Sequence, residues 1–356
     1  MKRNSFIEGA FIATIAIIIT KIIGLLYVIP FYQIIGEKGG ALYGYAYNIY
    51  SLFLIISTAG IPLAISKIIS EYEAKHLFKS KERVFSLTKK IIVPFSIICF
   101  GIVFLFAPFI ANVIIGDMRG GNSIADIALS IRIVSFALLV IPYLSISRGY
   151  LQGHKYITAP SLSQVIEQLV RVSFILIGSF LAIKIFHLSL NSAVNIAVFG
   201  ATVGGLSALI YLTRKMSLFK KTHIETNTDI NEVIVSDKEI IKKIIFYSLP
   251  FIIINVADNI YSFIDMTLII RTLNHLHFPA VDIEAISGIF TTWGYKLQMI
   301  VTAAATGMVV SLIPNISGHH AKGEFKEINA KLNKAIQMLF LFILPLTFAL
   351  SFLAKP

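Results

Sequence analysis

The chain has 356 residues, 56% of them hydrophobic and only 14% charged, with a mean hydropathy of +0.80. A soluble domain carries about 25% charged residues, so a soluble enzyme is excluded and an all-α integral membrane protein is expected. The net charge of +12 does not point to nucleic acid, because the basic residues follow membrane topology rather than forming one patch.

The N-terminal Met1-Lys2-Arg3 opens an apolar run to Ile29. That run is too long for a signal-peptide core and no small-x-small cleavage site follows, so it is the first membrane helix. Further apolar blocks fall at Ala41–Ser66, Ile91–Ile115, Ile124–Ser147, Ser161–Ile185, Ala193–Thr213, Ile244–Ile270, Ala285–Ile313 and Ala335–Ala354. Each exceeds about 18 residues, the length that crosses a hydrocarbon core about 30 Å thick, so about nine helices are expected. With the N-terminus in the cytoplasm, 22 of the 31 Lys and Arg residues fall on inside segments, as the positive-inside rule requires. Cys99, the sole cysteine, lies in the third block; it allows no intrachain disulfide and reads as a small hydrophobe.

The polar stretch Arg214–Lys243 divides the chain into a six-helix lobe (1–213), a cytoplasmic linker (214–243) and a partial second lobe (244–356) of three helices. A shift of 247 aligns Gly60 with Gly307, Ser70 with Ser317 and Lys75 with Lys322, a weak match that makes an internal parallel repeat plausible. A six-helix repeat would leave the second lobe incomplete, as in a truncated chain.

Ionisable residues within membrane blocks are costly and mark function by default. Lys21 sits deep in the first block, and Lys296 lies in the eighth beside Trp293, Tyr295 and Gln298. Each is either a packing or interfacial cation, or part of a hydrated cavity that attracts an anionic head group. Gln164, Glu167, Gln168 and Arg171 form a polar face in the fifth block. Glu167 and Arg171, at i and i+4, are expected to neutralise each other. Asp258 and Asp265 in the seventh block are candidates for Na⁺ or H⁺ coupling, or for pairing with a cation such as Lys296. Ala193, Ala197, Ala201 and Gly205, with Gly200 and Gly204, give the sixth block a close-packing face. No Walker loop, nucleophile elbow or HExxH is present, and His319-His320 is a solvated pair rather than a metal site. No cofactor or metal is expected.

Arg148-Gly149-Tyr150-Leu151-Gln152-Gly153 and Ser163-Gln164-Val165-Ile166-Glu167-Gln168-Leu169-Val170-Arg171 resemble the "RGxxQG … SQxxEQxxR" stretch of polysaccharide-biosynthesis transporters. The likeness is greatest to the SpoVB/YtgP branch, and Ser57–Lys67 looks like that branch's second-helix segment. The resemblance implies the MOP flippase superfamily, with MurJ-like lipid II flippases and MATE exporters as relatives, and two lobes around a central cavity. Lys21 matches a first-helix arginine of MurJ-like proteins, Tyr27 replaces a second, and Lys296 approximates an eighth-helix arginine. With Arg148, these two lysines are the candidate substrate-binding residues. The implied function is flipping an undecaprenyl-pyrophosphate-linked saccharide across the bacterial cytoplasmic membrane, by a monomer surrounded by membrane lipids. A cation-coupled MATE-like drug exporter is the alternative, though it would favour an acidic cavity. A membrane glycosyl- or acyltransferase would need a catalytic constellation that the sequence lacks.

Overall fold

The computed structural model describes residues 6–58, 60–116, 121–222, 234–294 and 324–353. Among these residues the fold is helical, with no strand. This is what a bilayer demands, since each apolar block must satisfy its own backbone hydrogen bonds. The helices are α1 (Phe6–Leu26), α2 (Val28–Thr58), α3 (Ile61–Ala74), α4 (Phe78–Ile115), α5 (Ile124–Ser135), α6 (Ala137–Gly153), α7 (Thr158–Phe180), α8 (Leu190–Thr222), α9 (Asp237–His275), α10 (Ala280–Gly288) and α11 (Phe325–Leu353). Short π-helical turns continue α7 through Ile185 and α10 through Gly294.

Among the described residues, seven stretches are long and apolar enough to cross a membrane. The first, Phe11–Glu73, is 63 residues long and holds most of the first predicted block and all of the second. The chain turns within it at Gly36, whose φ of 66° and ψ of −174° leave the helical region; glycine adopts such a conformation without a Cβ clash. Across the turn, the Tyr27 and Tyr43 hydroxyls meet at 3.4 Å and the Phe31 and Tyr43 rings at 5.0 Å. In an unbroken helix residues 16 apart would stand about 24 Å from each other, so the chain folds back at Gly36. A second break, at Gly60 (φ 71°), starts α3 with Pro62 in its first turn, where a missing N–H costs no hydrogen bond.

Ser123 and Asp126 cap α5 reciprocally, and the Ser236 hydroxyl accepts the Glu239 N–H at the start of α9, satisfying donors that a helix end leaves free. Both α8 and α9 run into the predicted linker, to Thr222 and from Asp237. The centre of that linker, most of the eighth block and the 247-shift matches at Gly307, Ser317 and Lys322 lie outside the described residues.

Buried side chains form two clusters stacked along the bundle. One, around Phe31, Tyr45, Ile114, Ile127 and Ile270, lies toward the Gly36 end. The other, around Ile65, Ile68, Tyr72, Tyr150 and Ile240, lies toward the lysine-rich end. Helix α9, first of the predicted second lobe, packs along α2, α3 and α4. At Gly60 a Cβ would stand 2.7 Å from Phe251 Cβ and 2.9 Å from the Ser248 carbonyl oxygen, so glycine permits that approach. By contrast α11 exposes Phe340, Leu341, Leu344, Phe348 and Phe352.

Candidate functional site

The polar face of the fifth predicted block lies on α7, held between α1, α6 and α8. The close-packing face of α8 is what brings that helix in. A Cβ on Gly204 would fall 2.7 Å from the Glu167 carbonyl oxygen and 2.8 Å from Arg171 Cβ, while Ala193, Ala197 and Ala201 are buried. On the other side, a Cβ on Gly24 of α1 would meet Gln168 Nε2 at 3.1 Å. Lys21 stands one turn before Gly24 on α1.

The pairing along α7 differs from the expectation for Glu167 and Arg171. The Glu167 carboxylate accepts from Arg148 Nη2 at 2.7 Å, while Arg148 Nε donates to Ser163 Oγ at 2.8 Å. Both ends of this ion pair are largely buried, with side-chain exposures of 12% and 18%. Arg171 instead lies 4.8 Å over the Tyr47 ring, with Nη2 3.5 Å from the Tyr43 hydroxyl. The i, i+4 spacing on α7 is real, but Arg148 on α6 reaches Glu167 across the helix interface with a more direct charge-assisted bond. Arg171 is left to a tyrosine cluster in which the Tyr27 and Tyr43 hydroxyls meet, the Tyr43 and Tyr47 rings stack and the Tyr47 and Tyr50 rings pack at a tilt. A guanidinium over an aromatic face is attracted by the ring quadrupole.

The glycines that follow Arg148 in the motif let α6 sit against α3. A Cβ on Gly149 would fall 2.6 Å from Pro62 Cα, and one on Gly153 would fall 2.7 Å from Ile69 Cβ. The two glycines of the Arg148–Gly153 motif, one helical turn apart, are therefore contact points rather than hinges.

Lys21 is half-buried and makes no ion pair among the described residues. Lys296 lies outside the described residues, as do His319 and His320. Gln164 is half-buried on the same α7 face as Gln168. Asp258 and Asp265 are exposed on α9 and are not brought together with Lys21, Arg148 or Arg171. Nearby, Asn259 Oδ1 accepts from Ser51 Oγ at 2.9 Å, tying the middle of α9 to α2.

Both ends of the bundle carry contacts that the sequence reading did not single out. At the lysine-rich end, Lys243 of α9 pairs with Glu71 of α3 at 3.1 Å, and Arg83 of α4 pairs with Asp237. Buried His154 stands 3.6 Å from Glu82, which also accepts from the Tyr150 hydroxyl at 3.0 Å. At the Gly36 end, Glu284 of α10 is only 2% exposed. Its Oε1 accepts from the Asn122 backbone N–H at 2.6 Å and from Asn122 Nδ2 at 2.8 Å. Burial pushes this carboxyl above its ordinary range, and Asn122 and the Lys38 charge pull it partly back. A cavity of about 400 Å³ opens beside it, lined by Tyr32, Gln33, Glu37, Glu284 and Gly288 among others. Nothing in local periodicity announces such long-range partners; the one sequence signal was a carboxylate at the edge of an apolar block.

Residues 6–320 match the family model described as "Polysaccharide biosynthesis protein". The chain is 32% identical to the lipid II flippase MurJ of Bacillus subtilis (strain 168) over 99% of its own length, and 23% identical to stage V sporulation protein B of the same organism over 96%. It spans 65% and 64% of those two relatives. An outward-facing multidrug resistance MATE family transporter of the MOP superfamily superposes with a TM-score of 0.63 over 96% of this chain and 70% of that one, at 14% identity. The fold is thus the MATE-like helical bundle, and the chain belongs to the polysaccharide biosynthesis protein family of multi-pass membrane proteins.

Proposed function

We propose that the protein is a flippase for an undecaprenyl-pyrophosphate-linked saccharide, lipid II or a related cell-wall precursor, in the bacterial cytoplasmic membrane. The observation that carries this reading is the 32% identity to a lipid II flippase across 99% of the chain. The charge distribution supports it, because a cation that makes no ion pair among the described residues, Lys21, stands deep in the first helix. An ammonium in a low-dielectric cavity attracts a diphosphate strongly.

In this reading Lys21 and Lys296 draw the head group in from the cytoplasmic side, the side that holds the N-terminus and the lysine-rich loops. Arg148 is a third contact candidate: of the five N–H donors a guanidinium carries, two are committed to Ser163 and Glu167. Asp258 or Asp265, exposed on α9, would take up the coupling Na⁺ or H⁺. The lobes then rock to release the head group outside, with no covalent change to the lipid. The working unit is a monomer.

The test is made in cells depleted of their own lipid II flippase, by scoring cleavage of lipid II in the outer leaflet by an added enzyme. Expression of the protein should restore cleavage. An unchanged inner-leaflet pool would overturn the lipid II assignment and favour another polyprenyl-linked saccharide.

A further inference from the structure

Asn122 and Glu284 belong to different parts of the bundle. Asn122 lies between α4 and α5, and Glu284 lies in the first turns of α10, after the predicted linker. They are joined by two short hydrogen bonds to one buried oxygen, and Asn122 Nδ2 also donates to the Lys38 carbonyl at 3.0 Å, just past the Gly36 turn. One asparagine therefore ties together the α2 turn, the α4–α5 connection and the start of α10. Beside it, Arg271 of α9 donates to the Val113 carbonyl at 2.8 Å, a second tie across the same end.

We propose that the Glu284–Asn122 contact is a latch that holds the Gly36 end of the bundle closed, and that this end opens only when the contact breaks. The latch rests on the two-lobe reading above and is independent of which lipid is carried. Three features of the geometry fit a latch better than a static brace. The joint lies at the end of the bundle, where a rocking motion separates the parts most. Its hydrogen bonds are few and concentrated on a single carboxylate, so they are lost together. And a cavity already reaches Glu284 from the side of Tyr32 and Gln33, giving water a path to the freed carboxylate. In the open state that carboxylate is hydrated, which offsets the loss of the Asn122 bonds.

The latch also senses protons. The titratable groups around Glu284 are Lys38, Glu37, Tyr32 and Tyr45 of α2, while Arg271 of α9 is held by the Val113 carbonyl. A carboxyl that holds its proton more tightly when buried than when hydrated shifts the equilibrium toward the buried state as pH falls. Acid therefore tightens the latch and alkali loosens it. Asn122 Oδ1, buried without a hydrogen-bond partner, is an acceptor to which the protonated acid can turn its O–H.

The experiment uses the protein in lipid nanodiscs, where a water-soluble thiol reagent reaches both faces. Cys99→Ala removes the native thiol, and Ser287→Cys places a reporter one turn beyond Glu284, at a position with 0% exposure. The reporter should react slowly in the parent and about tenfold faster in Glu284→Ala. Asn122→Ala, which keeps the backbone N–H, should fall between. Glu284→Gln, a neutral mimic, should react no faster than the parent and lose the slowing that acid produces in it. A buried thiol at Ala111→Cys in α4 must stay unreactive in each variant; where Glu284→Ala exposes it through unfolding, Asn122→Ala decides. Equal rates in the folded variants and the parent overturn the latch, as does a parent reporter as reactive as Gln33→Cys at the exposed cavity rim. Faster reaction in acid overturns the proton sense. No transported lipid enters the assay, so its failure and that of the flippase reading are told apart.

Discussion

Helices α7 and α9 each carry charged groups through the membrane, and they treat them in opposite ways. On α7 every charge is met from inside the bundle: Glu167 by Arg148, and Arg171 by the tyrosines of α2. On α9 the two mid-helix aspartates, Asp258 and Asp265, remain exposed, and it is the neutral Asn259 that bonds to α2. A membrane charge satisfied within one lobe stabilises that lobe. A membrane charge left open is free to bind something that comes and goes. The two helices thus separate architecture from candidate chemistry, and substitution should separate them further.

The largest effect is expected at the Arg148–Glu167 pair. Removing one partner leaves a buried, uncompensated charge, at a cost of about 3 kcal/mol. Glu167→Ala should therefore lower the melting temperature of the detergent-solubilised protein sharply, whereas Arg148→Met with Glu167→Leu should recover much of the loss. A double variant as unstable as the sum of the singles would show that the pair is not coupled. Next comes Gly149→Ala, whose Cβ would meet the Pro62 backbone at 2.6 Å. Overpacking of that kind costs about 1–3 kcal/mol, and the same melting curve measures it. Arg171→Lys should cost about 1 kcal/mol by losing the planar stack on Tyr47. The smallest stability change is expected for Asp258→Asn, within about 0.5 kcal/mol as for an exposed site. If Asp258 couples transport to an ion, that variant should nevertheless abolish the ion dependence of flipping. A large drop in melting temperature there would erase the contrast between the two helices.

Much of the fold was legible because membrane helices write their length and hydropathy directly into the sequence. The described helices overlap the predicted blocks, though the second block is broken at Gly60 between α2 and α3 and the fourth is divided between α5 and α6, and the small residues of α8 sit where their spacing placed them. The turn at Gly36 falls in the connection expected between the first two blocks, although helix runs up to it from both sides. The site was legible in its residues but not in its partners. Periodicity relates positions on one helix, so it put Glu167 beside Arg171. The competing Arg148 lies on α6, 19 positions away, and reaches Glu167 across a helix interface that periodicity on α7 does not describe. Glu284 was missed for the same reason, because its partner Asn122 is 162 residues distant.

The central claim is that a cationic first helix serves an anionic polyprenyl lipid, and purified protein in proteoliposomes tests it most directly. A fluorescent undecaprenyl-pyrophosphate-linked saccharide is added, and its passage between leaflets is followed by quenching from outside. The account predicts protein-dependent flipping that Lys21→Ala abolishes and Lys21→Arg retains, with the melting temperatures of both variants near that of the parent. Flipping no faster than in protein-free liposomes, together with uptake of a cationic drug against its gradient, would contradict it.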